Sequence, residues 1–508
     1  MITFLVAVAV LIFGYFIYAK VVEKVFVVNL EAKTPVTRMA DGVDYVELSD
    51  RKAMLIQFIS IAGTGPIFGA IFGAVWGPAS FFWIVLGCVF AGATHDYMAG
   101  MLSLRQNGAT LAEMVGKYLG PAVKILCRIF SLGLLVMVGA VFTRSPADIL
   151  MTITPEAWRG AFDFDFVWIW VIVIVAYFFI ATIIPIHILI AKLYPIFGVG
   201  MILLGLGMAV MLIVSGNIVH IPEFEFTNMH PLERPIWPFL FITIACGAIS
   251  GFHATQSPLM ARCIRSEAGG RNVFYRAMIF EGILALIWAA VAMTFFWNPE
   301  TGEGLTGLLQ HRGINPETGA YFPMAPAIAV STISFQWFGV VGGVIAVVCV
   351  GIFPISTGDT AMRVARLAIA DALKLGQDKV KNRLVIAIPL FVIVVILLNI
   401  DFSILWRYFA WLNQTLAVFT LWMGATYLAK QKKVHWICTI PAMFMTFLTN
   451  SYIVIAPEGF GPLLTAAGLN PAPIGVAAGA IITVILTGIF FKKCFGSNVK
   501  QLEEDIVG

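Results

Sequence analysis

The stretch Ile61-Ala62-Gly63-Thr64-Gly65-Pro66-Ile67 sets two glycines, a threonine and a proline inside an apolar run of membrane-crossing length. Proline lacks a backbone donor and glycine permits a sharp turn or a close backbone approach, so a helix is expected to break here. A second interrupted run, Cys246-Gly247-Ala248-Ile249-Ser250-Gly251-Phe252-His253, follows about 185 residues later. A helix broken in lipid leaves N–H and C=O groups that protein, water or a ligand must satisfy. For one break alone, a proline kink with glycines packed on neighbouring helices is an equal reading. Two breaks at matching positions point instead to a binding site. There, free N–H groups of a half-helix starting near Ile67 would attract a carboxylate.

Working outward, the 508 residues are 60% hydrophobic and 12% charged, which excludes a soluble globular chain, where about a quarter of residues are charged. A net charge of +4 is too small to suggest nucleic acid as a partner. The seven cysteines lie mostly in apolar runs, without zinc spacing or a disulfide framework. At about 20 residues per crossing, thirteen spans are expected, over 2–19, 53–75, 79–103, 121–143, 165–184, 195–214, 237–259, 273–297, 335–356, 384–400, 404–428, 434–455 and 472–491. The first run has no basic residue before it and no small-residue cleavage site, so it is expected to be a spanning helix rather than a removable signal peptide.

Loop charges test the count. With thirteen spans, 27 of the 32 Lys and Arg residues fall on one side, leaving Arg144, Arg159, Arg234, Arg312 and Arg407 on the other. The positive-inside rule then puts the N-terminus outside and the C-terminus in the cytoplasm. The broken runs become the second and seventh spans, five apart and oppositely oriented. The expected fold is an all-α polytopic membrane protein with a LeuT-like 5+5 inverted repeat. The chain divides into 1–52 (first span and cytoplasmic segment), 53–214 and 237–428 (the repeats), and 434–508 (two added spans and a tail).

Ionisable groups within spans each cost about 2.5–3.5 kcal/mol on insertion scales unless paired or wet. His95 and Asp96 lie in the third span and Glu281 in the eighth, the second members of the two repeats. Buried carboxylates suit reversible proton uptake, and a structural pair is the competing reading. Asp359, at the end of the ninth span, has Arg363 four residues on, the spacing of a helix-surface ion pair. Ser356 and Thr357 could ligate Na+ or bond back to their own helix. Gln57, Gly63, Thr64, Gly65, Ser250, Gly251, His253 and Asn413 are the candidate substrate-binding residues. His95, Asp96, Glu281, Ser356, Thr357 and Asp359 are the candidate ion-coupling residues. No phosphate loop, zinc helix or nucleophile elbow is present, so neither an enzyme nor a cofactor is expected.

Asp41-Gly42-Val43-Asp44-Tyr45-Val46, the first break, Phe90 to Tyr97 and the second break occur in order. Glu281-Gly282, Gly358 to Arg363 and Asn413 to Ala417 follow in turn. This ordered set resembles the carbon starvation protein A (CstA) family. The resemblance implies a multi-pass importer of the bacterial inner membrane, taking peptides or pyruvate and coupled to protons. A Na+-coupled amino acid-type symporter, a channel and a nutrient-sensing membrane protein are the alternatives. The implied partners are a small-molecule substrate and the lipid bilayer. Larger family members usually carry a His pair where this chain has Ile56-Gln57, so it resembles a shorter branch.

Overall fold

In the computed structural model, the described residues are 1–42, 45–183, 186–215, 221–230, 233–296, 326–377 and 379–496. Among them the chain is helical throughout, with an isolated bridge between Leu48 and Ile264 as its one β-type contact. The elements are α1 (Ile2–Phe26), α2 (Asp50–Ala62), α3 (Gly65–Gly73), α4 (Ala79–Arg105), α5 (Leu111–Leu119), α6 (Pro121–Ile153), α7 (Val167–Ile183) and α8 (Ile186–Val214). After two short pieces, Ile236–Leu240 and Phe241–Thr243, come α9 (Gly251–Ala261), α10 (Arg276–Phe296), α11 (Pro326–Leu373) and α12 (Val380–Leu397). The chain closes with α13 (Phe402–Lys430), α14 (Trp436–Ile455) and α15 (Pro471–Phe495).

Nine described helices are long and apolar enough to cross a membrane, ten if the bent pair α2 and α3 counts as one span. This is a multi-pass membrane protein. Three elements at expected spans fall outside that set: α7, which is apolar but only 17 residues long, the interrupted 236–261 run, and α13, which carries Arg407, Asn413 and Gln414. Exposed large hydrophobics such as Phe13, Ile172, Leu203, Ile393 and Val484 ring the helices, as a lipid-facing surface requires.

Several helices outrun their expected bounds. α11 continues to Leu373, so Ser356, Thr357 and Asp359 sit mid-helix rather than at an end. Hydropathy falls there because the polar side chains are buried and bonded within protein, not because the helix stops. Likewise α6 runs on to Ile153, carrying Arg144, which pairs with Asp148 one turn later at 2.8 Å. Its i,i+4 geometry lets a charged pair ride on a long helix.

One face of the molecule collects the basic loops. Arg105 ends α4 and grips Glu267 at 2.8 and 2.7 Å, Arg262 donates to the Gly108 carbonyl, Arg271 pairs with Glu23, and Lys433 donates to the Phe26 carbonyl. The segment after α1 lies across this face. Leu48 donates its amide to the Cys263 carbonyl at 3.1 Å, and the Tyr45 hydroxyl donates to the Asn107 carbonyl at 3.1 Å. On the opposite side of the first break, Phe68, Phe72, Phe402, Trp406 and Phe409 form a continuous aromatic cluster with centroids 5.5–6.3 Å apart.

Candidate functional site

Both breaks are real. α2 and α3 meet at 48°, and Gly63 between them adopts φ +48°, a region costly for any residue with a Cβ. α3 starts at Gly65, two residues before the expected Ile67, because Thr64 is already able to accept. Its carbonyl takes the amides of Ile67 (3.1 Å) and Phe68 (2.8 Å), and Pro66 has no donor to place. In the second run the chain leaves helical geometry after Thr243 and resumes at Gly251, with Ser250 extended at φ −139°.

The two breaks touch. A Cβ on Gly65 would lie 2.4 Å from the Cys246 sulfur, and one on Gly251 would lie 2.4 Å from the Asn413 carbonyl and the Ala417 amide of α13. Asn413 fills the second break. Its Oδ1 accepts from the Ser250 hydroxyl at 3.0 Å and from the Phe252 amide at 2.8 Å, while its Nδ2 donates toward the Cys246 sulfur at 3.3 Å. A side-chain amide from α13 thus satisfies the start of α9, the work an N-cap residue does in a soluble helix. Because the clash at Gly251 is with backbone that cannot rotate away, Gly251→Ala should destabilise the protein by about 1–3 kcal/mol. A lowered melting temperature in detergent checks this, and an unchanged one means α13 can withdraw.

At the first break, Thr64 Oγ1 lies 3.4 Å from Ser145 Oγ of α6, and Gly63 faces Phe142 and Thr357. The Thr357 hydroxyl donates to the Ile59 carbonyl of α2 at 3.1 Å, while the Ser356 hydroxyl donates back to Phe353 at 2.7 Å. Gln57 Nε2 reaches Ser257 Oγ at 3.5 Å, the outer limit of a hydrogen bond, and leaves its Oε1 buried without a partner. Asp359 lies apart from the breaks. It accepts from the Tyr177 hydroxyl of α7 at 2.9 Å, and Arg363 donates to the Ala181 carbonyl on the same helix.

The titratable residues converge on one buried line. His95 Nδ1 lies 2.8 Å from Asp96 Oδ1, and His253 Nδ1 lies 2.8 Å from Asp96 Oδ2. The other ring nitrogen of His253, Nε2, stands 3.2 Å from Glu281 Oε2, an ion-pair distance without hydrogen-bond alignment. All four side chains are fully buried. His253, a candidate substrate-binding residue, lies between the carboxylates of α4 and α10. Such an array can hold a proton between two acids, since an imidazolium donates from both nitrogens and a neutral imidazole from one. Among the described residues no cluster of three or more His, Cys, Asp or Glu has metal-binding geometry.

Sequence reasoning missed Ser145, Tyr177, and the Arg105 and Glu267 pair. Arg105 is one of the 27 basic residues on one side, Glu267 carries no local signal, and only Glu267's near-complete burial sets the pair apart.

The model of the family "Carbon starvation protein CstA" matches residues 1–158, 149–300 and 292–451. An uncharacterized membrane protein of Haemophilus influenzae is 44% identical over 343 residues, 59% of this chain and 92% of its own. The Bacillus subtilis "Peptide transporter CstA" is 25% identical, spanning 96% of this chain and 94% of its own. The Escherichia coli "Pyruvate/proton symporter BtsT" is 28% identical over 56% of this chain and 49% of its own. Among solved structures, MhsT in complex with L-phenylalanine shares the fold, with TM-score 0.56 and 14% identity over 86% of this chain and 99% of that one. The named relatives are transporters rather than enzymes. With matches that together run from residue 1 to 451, the chain belongs to the carbon starvation protein CstA family.

Proposed function

We propose that this protein is a proton-coupled secondary transporter that imports a small carboxylate-bearing nutrient, a peptide or pyruvate, into bacteria. The observation that carries the reading is His253. It sits on a broken helix and contacts Asp96 and Glu281 on two other helices, with every group buried. Relatives named as a peptide transporter and a pyruvate/proton symporter support it. In this reading thirteen spans cross the inner membrane, and two inverted five-helix units run from α2 to α8 and from residue 236 to α13. The basic face is cytoplasmic and the N-terminus outside.

The chemistry follows from donor counting. With a proton on the array, His253 serves both carboxylates and ties α9 to α4 and α10. Deprotonation leaves one nitrogen as an acceptor, so one carboxylate loses its donor and that tie weakens. A buried carboxylate without a donor is costly, which favours movement of α9 and separation of the two breaks. Parting them opens the site formed by Gly63, Thr64, Gly65, Ser250, Gly251 and Asn413, with Gln57 beside them, and lets a bound substrate carboxylate leave. Proton release and substrate release are thereby linked through one two-state element.

Na+ coupling is the second reading. It rests on the contact of Thr357 with the Ile59 carbonyl, where a hydroxyl of α11 and a carbonyl of α2 already meet. Uptake of peptides and pyruvate into proteoliposomes under an imposed pH or Na+ gradient separates the two. No response to either gradient across that panel ends the coupled-transport reading. Glu281→Gln should abolish pH-driven accumulation while leaving substrate exchange; full accumulation removes Glu281 from the mechanism.

A further inference from the structure

A cavity of about 360 Å³ lies between the break and the basic face, within the range of small-molecule sites. Its inner end is lined by Thr255 and Pro258 of α9, close in sequence to His253, and its walls come from α5, α6 and α11. A second, more polar cavity of about 600 Å³ shares Thr110, Glu113, Arg262 and Asp371 with it and extends to Tyr45 and Lys374. Together they form a path from the broken helix to the basic loops.

Most charged or polar groups along this path are already engaged. Arg262 donates to the Gly108 carbonyl at 3.2 and 3.1 Å and lies over the Tyr45 ring at 5.5 Å. Glu113 accepts the Thr110 amide at 3.0 Å in a capping box, and Gln377 accepts from Arg366. Two charges differ. Among the described residues neither Arg128 of α6 nor Asp371 of α11 makes a side-chain hydrogen bond or ion pair, yet both line the 360 Å³ cavity. Arg128 is half-buried in the cavity wall and Asp371 is exposed at its edge, where Glu113, Arg262 and Arg128 all act on the Asp371 carboxylate. Opposite charges on one cavity, neither closed on a partner, are complementary to a ligand with a cation at one end and an anion at the other.

We propose that this cavity is a staging site on the release path, holding a zwitterion with its carboxylate on Arg128 and its ammonium on Asp371. The inference rests on the transporter reading and adds to it a binding station separate from the two breaks. It also divides the substrate classes: a short peptide engages both residues, whereas pyruvate, having no ammonium, engages Arg128 alone.

The test uses the full chain in proteoliposomes loaded with L-alanyl-L-alanine or pyruvate. The measured quantity is the concentration giving half-maximal exchange from the basic face. Arg128→Gln should raise it about tenfold for both ligands, the loss of one charge-assisted hydrogen bond. Asp371→Asn should raise it about tenfold for the dipeptide and leave pyruvate unchanged, with Asp371→Glu restoring the dipeptide value. An Asp371→Asn variant that shifts neither ligand, or both equally, overturns the site. If the unaltered protein exchanges neither compound, the transporter reading fails and the site is judged by thermal shift in detergent. Stabilisation by L-alanyl-L-alanine that both neutral variants lose upholds the site, and no stabilisation of the unaltered protein overturns it.

Discussion

His253→Ala is expected to lower pH-gradient-driven uptake by about 100-fold, near the upper end of coupling energies between linked sites, while substrate exchange persists. The substitution removes the group that stands between two buried carboxylates. Asp96 keeps His95 at 2.8 Å, but Glu281 loses its ion-pair partner, because both its oxygens lack a hydrogen bond among the described residues. Glu281 must then hold a proton to stay buried, so the cycle has no group that gains and loses a proton as α9 moves. His253→Gln provides the control for folding. A neutral amide can still bond one neighbour but cannot carry the proton, and it should show the same loss of accumulation with better retention of the fold. The measurement is accumulation in proteoliposomes at fixed membrane potential, with internal pH varied. Accumulation by His253→Ala equal to that of the unaltered protein means the proton travels elsewhere.

Glu267→Ala should cost about 3 kcal/mol of stability, at the lower end for a broken buried ion pair because Arg105 retains 25% side-chain exposure while Glu267 has 2%. Arg105 is a hub. It donates to both Glu267 oxygens, to the Val27 carbonyl at 2.8 Å and to the Tyr427 hydroxyl, and its guanidinium lies 4.1 Å from the centroid of the Phe26 ring. Glu267 also accepts the Asn29 amide at 2.8 Å. One ion pair therefore joins the end of α1, the end of α4, the loop after α9 and the end of α13. Removing the carboxylate leaves a cation facing other donors, so the whole basic face should loosen. Thermal unfolding in detergent measures it, with Glu267→Gln expected to lose less because an acceptor remains. Equal melting of the alanine variant and the unaltered protein means the pair does not hold that face together.

The membrane class was legible because lipid imposes simple demands on sequence, namely apolar length and charge asymmetry. The two breaks were legible for the same reason, since glycine and proline interrupt hydrogen bonding wherever they stand. Asp96 and Glu281 could be singled out as charges within apolar spans. Asp359 could too, yet its observed bonding partner Tyr177 lies 182 residues away on α7 and has no local signature. The end of α11 was misjudged because hydropathy scores side chains one by one, while burial of Thr357, Asp359 and Arg363 depends on neighbours from other helices.

By itself the sequence determined the order of apolar runs, the positions of both breaks and the motifs of its family, all of which depend on residues near one another in the chain. The tertiary structure alone decided that His253 lies between Asp96 and Glu281, that Asn413 caps the second break, and that Arg105 grips Glu267. These contacts join residues 157, 161 and 162 positions apart in the cases of His253 with Asp96, Asn413 with Phe252 and Arg105 with Glu267. Their partners are chosen by helix packing. A buried donor or acceptor takes the complementary group that the fold brings within reach, and no local pattern of residues encodes which one that is.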